Sequence, residues 1–313
     1  MMEENTKATL PVLRAADLEA QAANEHWLIE GLWAREAIGL IGGAPKLGKS
    51  WLGLDMAVSV ASGLPALGHF PVAEPGRALV YLAEDSLPQV RSRIEGLCMH
   101  RGLDIASLDL HVITAPTLRI DTVVDQELLA ATLESLRPRL LILDPLVRLD
   151  QLDENSSAEI SKLLGFIRGL QRRFETAIVL VHHASKRARA QPGQSLRGSS
   201  DLHAIGDSNA YLTRTGERLM LTLEHRAASP PDPMEIELIV DEASGSSQLR
   251  VCDRAAAFAS RDVMARGMKP TRSSAKRSHS RHATEYPARL SGPSPSSPKR
   301  AQAGPPKQLH VST

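Results

Sequence analysis

Residues 43 to 50 read Gly-Ala-Pro-Lys-Leu-Gly-Lys-Ser, which matches G-x-x-x-x-G-K-[ST] at every fixed position. That spacing serves one physical task. A polyphosphate tail carries dense negative charge, and main-chain N–H groups must close on it with no side chain in the way, a demand that Gly43 and Gly48 meet. Lys49 then supplies a point charge to the β- and γ-phosphates, and Ser50 offers a hydroxyl to Mg²⁺. The segment Gly43, Ala44, Pro45, Lys46, Leu47, Gly48, Lys49, Ser50 and Trp51 is therefore the expected nucleotide contact. A helix opening at Lys49 aims its positive end at the same anion.

Three more groups share one placement, the end of an apolar run. Arg77 to Ala83 leads into Glu84 and Asp85, Arg139 to Leu143 leads into Asp144, and Ala177 to Val181 leads into His182 and His183. Such runs suit buried parallel strands, whose carboxyl ends form the ligand edge of an open α/β sheet. Asp144 is expected in the Mg²⁺ shell. Glu84 is expected to orient or deprotonate an attacking water, whereas Asp85 suits the start of the next helix. At least one of the two histidines is expected to face the γ-phosphate.

The flanking elements follow the pattern that the motif requires. Ala37 to Ile41 reads as the strand before the loop, and Ser50 to Ala61 as the helix after it, stopped by Gly63 and Pro65. Further helices are predicted over Ser86 to His100 and Thr122 to Leu136, with a short strand over Leu110 to Ile113 between them. Ser156 and Glu159 form a capping box ahead of a helix whose Ile160, Leu163, Leu164, Ile167, Leu170 and Phe174 face the core, leaving Lys162, Arg168 and Arg172 outside. A hairpin over Asn209 to Thr213 and Arg218 to Leu223 turns at Thr215-Gly216, and Met234 to Val240 is expected to close the core. A short helix over Ala16 to Asn24 is expected in the N-terminal arm, and Trp27, Leu28, Leu32 and Trp33 are expected to pack as core, the alternative being that they cover the nucleotide site or a neighbouring subunit.

At 313 residues and 42% hydrophobic content, one sizeable core with small appendages is expected. Residues 1–27 read as an arm, 28–253 as the main domain and 254–313 as a tail. The net charge of +1 conceals a division, because the tail holds twelve Lys and Arg against two Asp and Glu, leaving the rest acidic at −9. The tail is rich in Ser, Pro, Arg and Lys and is expected to be disordered. Two cysteines without ligand spacing argue against a disulfide framework or structural zinc. A polar, acidic start and the lack of a spanning apolar run point to a soluble cytoplasmic protein without a membrane partner. Residues 185 to 201 are basic, small and turn-rich, and Lys186, Arg187, Arg189 and Arg197 are candidates for following a nucleic-acid backbone.

In this order, Gly42-Gly43-Ala44 to Ser50, Tyr81-Leu82-Ala83-Glu84-Asp85, Leu143-Asp144, Val181-His182-His183-Ala184-Ser185-Lys186 and Arg197-Gly198-Ser199-Ser200 resemble the RecA-like P-loop ATPases. The resemblance is nearest to the plasmid RepA type of hexameric replicative helicase and its AAA-family relatives, over roughly residues 28 to 240. It implies an α/β core with a central, mainly parallel sheet flanked by helices, and Mg²⁺-dependent ATP hydrolysis in a ring, expected to be hexameric. It further implies Glu84 as the catalytic carboxylate, His183 as a γ-phosphate sensor, and loops lining a channel for single-stranded DNA. Arg226 would reach a neighbour's nucleotide, with Glu224 standing where the family tends to have a basic residue. Three classes follow: a DNA-stimulated motor, a recombinase-like or regulatory ATPase that binds DNA without unwinding it, and a nucleotide-dependent binding protein with little turnover.

Overall fold

The computed structural model describes residues 11–18, 26–149, 157–183 and 205–252. Its centre is a nine-stranded sheet. The strands that carry the site are β3 (Ile38–Gly43), β4 (Ala78–Leu82), β6 (Leu140–Asp144) and β7 (Ala177–His183). With β5 (Leu110–Val112) and β8 (Ser208–Thr215) they form a parallel block in the order β8-β3-β7-β6-β4-β5. Beyond β8, the strands β9 (Arg218–His225), β10 (Met234–Asp241) and β11 (Ser246–Val251) continue the sheet antiparallel. An antiparallel pair, β1 (Trp27–Ile29) and β2 (Trp33–Ala34), lies outside the sheet.

Alternation along each strand sorts the side chains into two layers. Ala78, Val80 and Leu82 face one core with Leu52, Met56 and Val60 of α1 (Lys49–Ser62) and Val90, Ile94 and Leu97 of α2 (Leu87–Arg101). Leu79 and Tyr81 face the other core with Leu129 and Leu133 of α3 (Val123–Leu136) and Leu163, Ile167 and Leu170 of α4 (Ser157–Phe174). Each helix thus covers a face that water would otherwise wet. Gly63 stops α1 in the left-handed conformation, its N–H returning to the Ser59 carbonyl.

Several expectations are corrected. Of the helix expected over Ala16 to Asn24, only residues 16–18 are described, in a 3₁₀ turn over Ala15–Asp17 followed by an extended Leu18; residues 19–24 lie outside the described residues. None of Ala15–Asp17 is buried. Met234 to Val240 does not finish the sheet, because β11 pairs beyond it from Ile236↔Val251 to Asp241↔Ser246. Arg168, expected outside, is half-buried and tied to Asp207. Leu28, Leu32 and Trp33 are core, as expected, while Trp27 packs nearly perpendicular to the His225 ring with the ring centres 4.9 Å apart. The capping residue Ser156, the basic segment 185–201 and the tail from 254 lie outside the described residues. The chain divides into two units, Met1–Asp262, which holds the whole sheet and its helices, and Val263–Thr313. No described helix is long and apolar enough to cross a membrane.

Candidate functional site

β3 delivers the chain to the loop, and α1 carries it away. Gly48 is the N-cap of α1 at φ 85°, a left-handed conformation that glycine adopts without strain, and a side chain there would meet open space. The constraint on Gly43 is different, since a Cβ at that position would come within 2.6 Å of the Leu212 carbonyl oxygen on β8. One glycine shapes the loop and the other lets two strands approach. Lys49 is buried, and its Nζ donates to the main-chain oxygens of Gly43 at 3.0 Å and Ala44 at 2.9 Å. Burial lowers its pKa, against the attraction of Asp144 and Glu84. Ala44, Pro45 and Lys46 form the exposed crown of the loop, while Leu47 packs against the α1-side core.

The strand ends meet as the sequence requires. In the register, Gly43 is paired with His183, and Leu82 with Asp144. The Ala83 N–H donates to the Asp144 carbonyl at 2.7 Å, which fixes Glu84 beside the end of β6. A cleft of about 330 Å³ is lined by Lys46, Gly48, Lys49, Ser50, Trp51, Leu82, Glu84, Asp85, Arg93, Asp144, His183 and Leu238. His182, in contrast, is buried beside Gly42.

Asp144 is only 7% exposed, and its pKa is pushed up to about 6. Burial is the main cause, opposed by a hydrogen bond from Ser50 and by Lys49, and reinforced by Asp85 and Glu84. A buried carboxylate with two more carboxylates nearby and a hydroxyl hydrogen-bonded to it forms a donor set that a hard cation relieves. Among the described residues no three or more His, Cys, Asp or Glu form a metal cage. Mg²⁺ keeps waters and is held through one or two carboxylates and substrate phosphates. Ser50 and Asp144 fit it.

Around this centre, Glu84 Oε1 accepts from Arg148 Nε at 3.0 Å, and Asp85 is paired with Arg93. The Arg93 guanidinium lies 5.5 Å from the centre of the Trp51 ring, giving the cleft a flat cationic and aromatic wall. Asp85 thus precedes α2, as expected, and also lines the cleft. The capping is done by Ser86, whose N–H and hydroxyl both donate to Gln89 Oε1. Sequence reasoning missed Arg93, Arg148, Leu82 and Leu238 as neighbours of the site. Arg93 lies in the second turn of α2 and pairs back to Asp85 just ahead of that helix; the others have no local signal. A second cleft of about 440 Å³ lies across the loop, where Lys46, Leu47 and Gly48 face Arg214, Arg218, Glu235 and Cys252.

Arg226 is not at this edge. Because β9 runs antiparallel to β8, it ends at the opposite end of the sheet, where Arg226 Nη1 pairs with Asp207 at 3.1 Å. Asp207 also accepts from the Ile38 N–H and from Arg168. Glu224 is half-buried and hydrogen-bonded to the Tyr211 hydroxyl, whose pKa is raised by burial and by that carboxylate. This is the physical reason for an acid at position 224: it is a partner for a buried phenol behind the loop. Lys186, Arg187, Arg189 and Arg197 lie outside the described residues.

The AAA domain family matches the chain over residues 4–189, more than half of its length. The match contains the phosphate loop, Glu84, Asp144 and His183 and stops before β8. No curated protein matches the chain.

Proposed function

The chain belongs to the AAA domain family of P-loop ATPases, and from that premise we propose that it hydrolyses ATP with Mg²⁺ and couples turnover to movement along single-stranded DNA as a hexameric, replicative-helicase-like ring. The observation that carries the catalytic part is one cleft lined by Lys49, Ser50, Glu84, Asp144 and His183 together.

The roles follow from position. The Lys49 ammonium, resting on the Gly43 and Ala44 carbonyls, would transfer its hydrogen bonds to phosphate oxygens. Ser50 and Asp144 hold Mg²⁺, which supplies positive charge to the phosphate oxygens when bound. Glu84 orients the water and takes its proton as the oxygen bonds to the γ-phosphorus and the bond to the bridging oxygen breaks. His183 reads the γ-phosphate from the end of β7.

Coupling to DNA is supported by chain continuity, because the basic stretch from Lys186 to Arg197 begins three residues after His183. Arg226, on the far side of the sheet from its own cleft, is suited to act on a neighbour's nucleotide rather than its own. A second reading, a nucleotide-dependent switch with little turnover, is favoured by the engagement of Glu84 with Arg148 and of Arg226 with Asp207. Solution mass with and without a non-hydrolysable ATP analogue and oligonucleotide, together with unwinding of a forked substrate, separates the readings. The motor predicts analogue-dependent assembly and strand separation. A monomer under every condition contradicts it.

A further inference from the structure

The contact between Arg148 and Glu84 is not required by the fold, yet it engages the carboxylate assigned to water activation. Arg148 stands four residues beyond Asp144, at the end of a 3₁₀ turn over Leu146–Arg148. That turn is firmly seated. Leu146 and Leu149 are buried, the Arg148 N–H returns to the Pro145 carbonyl at 3.0 Å, and the Leu149 carbonyl accepts from Ile120 at 2.8 Å. Glu84 is anchored equally well through the Ala83 to Asp144 hydrogen bond. The main chain therefore holds both side chains in reach of one another, and only the side-chain contact is free to change.

We infer that Arg148 is a positioning residue that restrains Glu84 in the resting protein, and that a phosphodiester backbone relieves the restraint by competing for the guanidinium. A carboxylate oxygen that accepts a hydrogen bond from a guanidinium is turned towards that cation and is a weaker base for the proton of a water. The pair is open to solvent, with Arg148 63% and Glu84 46% exposed, so it is weak and a polyanion can approach it. Guanidinium groups form strong paired hydrogen bonds with phosphate oxygens, and a nucleic-acid strand presents many of them. Loss of this contact frees both Glu84 oxygens within the cleft that the residue already lines with Lys49 and Asp144.

This inference rests on the reading of Glu84 as the catalytic carboxylate, and the two can fail separately. Steady-state phosphate release and binding of a fluorescent ATP analogue are measured for the full chain, Arg148→Ala, Arg148→Lys, Glu84→Gln and Lys49→Ala, each with and without a single-stranded oligonucleotide. Arg148→Ala is expected to raise the rate without oligonucleotide by about two- to fivefold, the modest size that an exposed pair allows. It is also expected to reduce the stimulation by oligonucleotide in proportion, with analogue affinity unchanged and Arg148→Lys closer to the native protein. A basal rate at or below native, or undiminished stimulation, overturns the inference. If Lys49→Ala and Glu84→Gln keep native turnover, it is the catalytic reading that fails.

Discussion

The two ends of the parallel strands carry similar side chains put to different uses. At the amino end, Asp207 accepts from a main-chain N–H, from Arg168 and from Arg226, so its charge is met from several sides. At the carboxyl end, Lys49 rests on carbonyls, and Asp144 has burial and two nearby carboxylates against it, with Ser50 and Lys49 as support. One cluster is complete within the chain. The other is held at a cost that a cation and a phosphate tail would offset, which is how a binding site differs from a structural ion pair.

The largest effect should come from the strained end. Glu84→Gln is expected to leave analogue binding within about twofold and to reduce phosphate release by roughly a hundredfold or more, the scale of losing a general base. Equal loss of binding and turnover would assign Glu84 a structural role.

The same comparison predicts opposite signs for two Asp→Asn substitutions in metal-free protein. Asp207→Asn should destabilise the fold by about 1–3 kcal/mol by removing a charged acceptor from two arginines, as read by chemical denaturation. Asp144→Asn should stabilise it at pH 7.5 by about 1–3 kcal/mol, because the native protein ionises a buried carboxyl there. The folded chain keeps the Asp144 proton up to about pH 6 and the unfolded chain releases it near 3.8. This group therefore favours folding at pH 4–5 and withdraws that support as pH rises through 6, so the advantage of the asparagine should shrink below pH 6. Asp55, also raised by burial, acts in the same direction in both proteins and does not affect the difference. A destabilised Asp144→Asn at pH 7.5 would place that carboxylate with Asp207 as structural.

Much of this was legible in the chain, and the reason is local. β4, β6 and β7 are continuous apolar runs that lead into polar residues, and β3 is one that leads into the glycine loop, a pattern that specifies both burial and the edge at which chemistry sits. The boundaries of α1 and α2 follow from Gly48, Gly63 and Ser86, whose capping roles are encoded at fixed offsets. What escaped is encoded between segments. β11 reads Ser-Ser-Gln-Leu-Arg-Val, too polar to announce a strand, and it is held by six paired positions on β10. Arg148, Leu238 and the Asp207 cluster reach their partners only through tertiary contact. Glu224 showed the limit of resemblance, since its partner Tyr211 is visible only once β8 and β9 are paired.

The smallest difference expected is the one that Arg148 controls, and the most direct test lies at the loop itself. Titration of the Mg²⁺ complex of a non-hydrolysable ATP analogue into the native chain and into Lys49→Ala, followed by calorimetry, addresses the claim that this ammonium and the surrounding amides grip a triphosphate. The account predicts saturable one-to-one binding by the native chain, weakened at least about a hundredfold by the substitution. Equal affinity in the two proteins, with the Lys49→Ala fold intact, would contradict it.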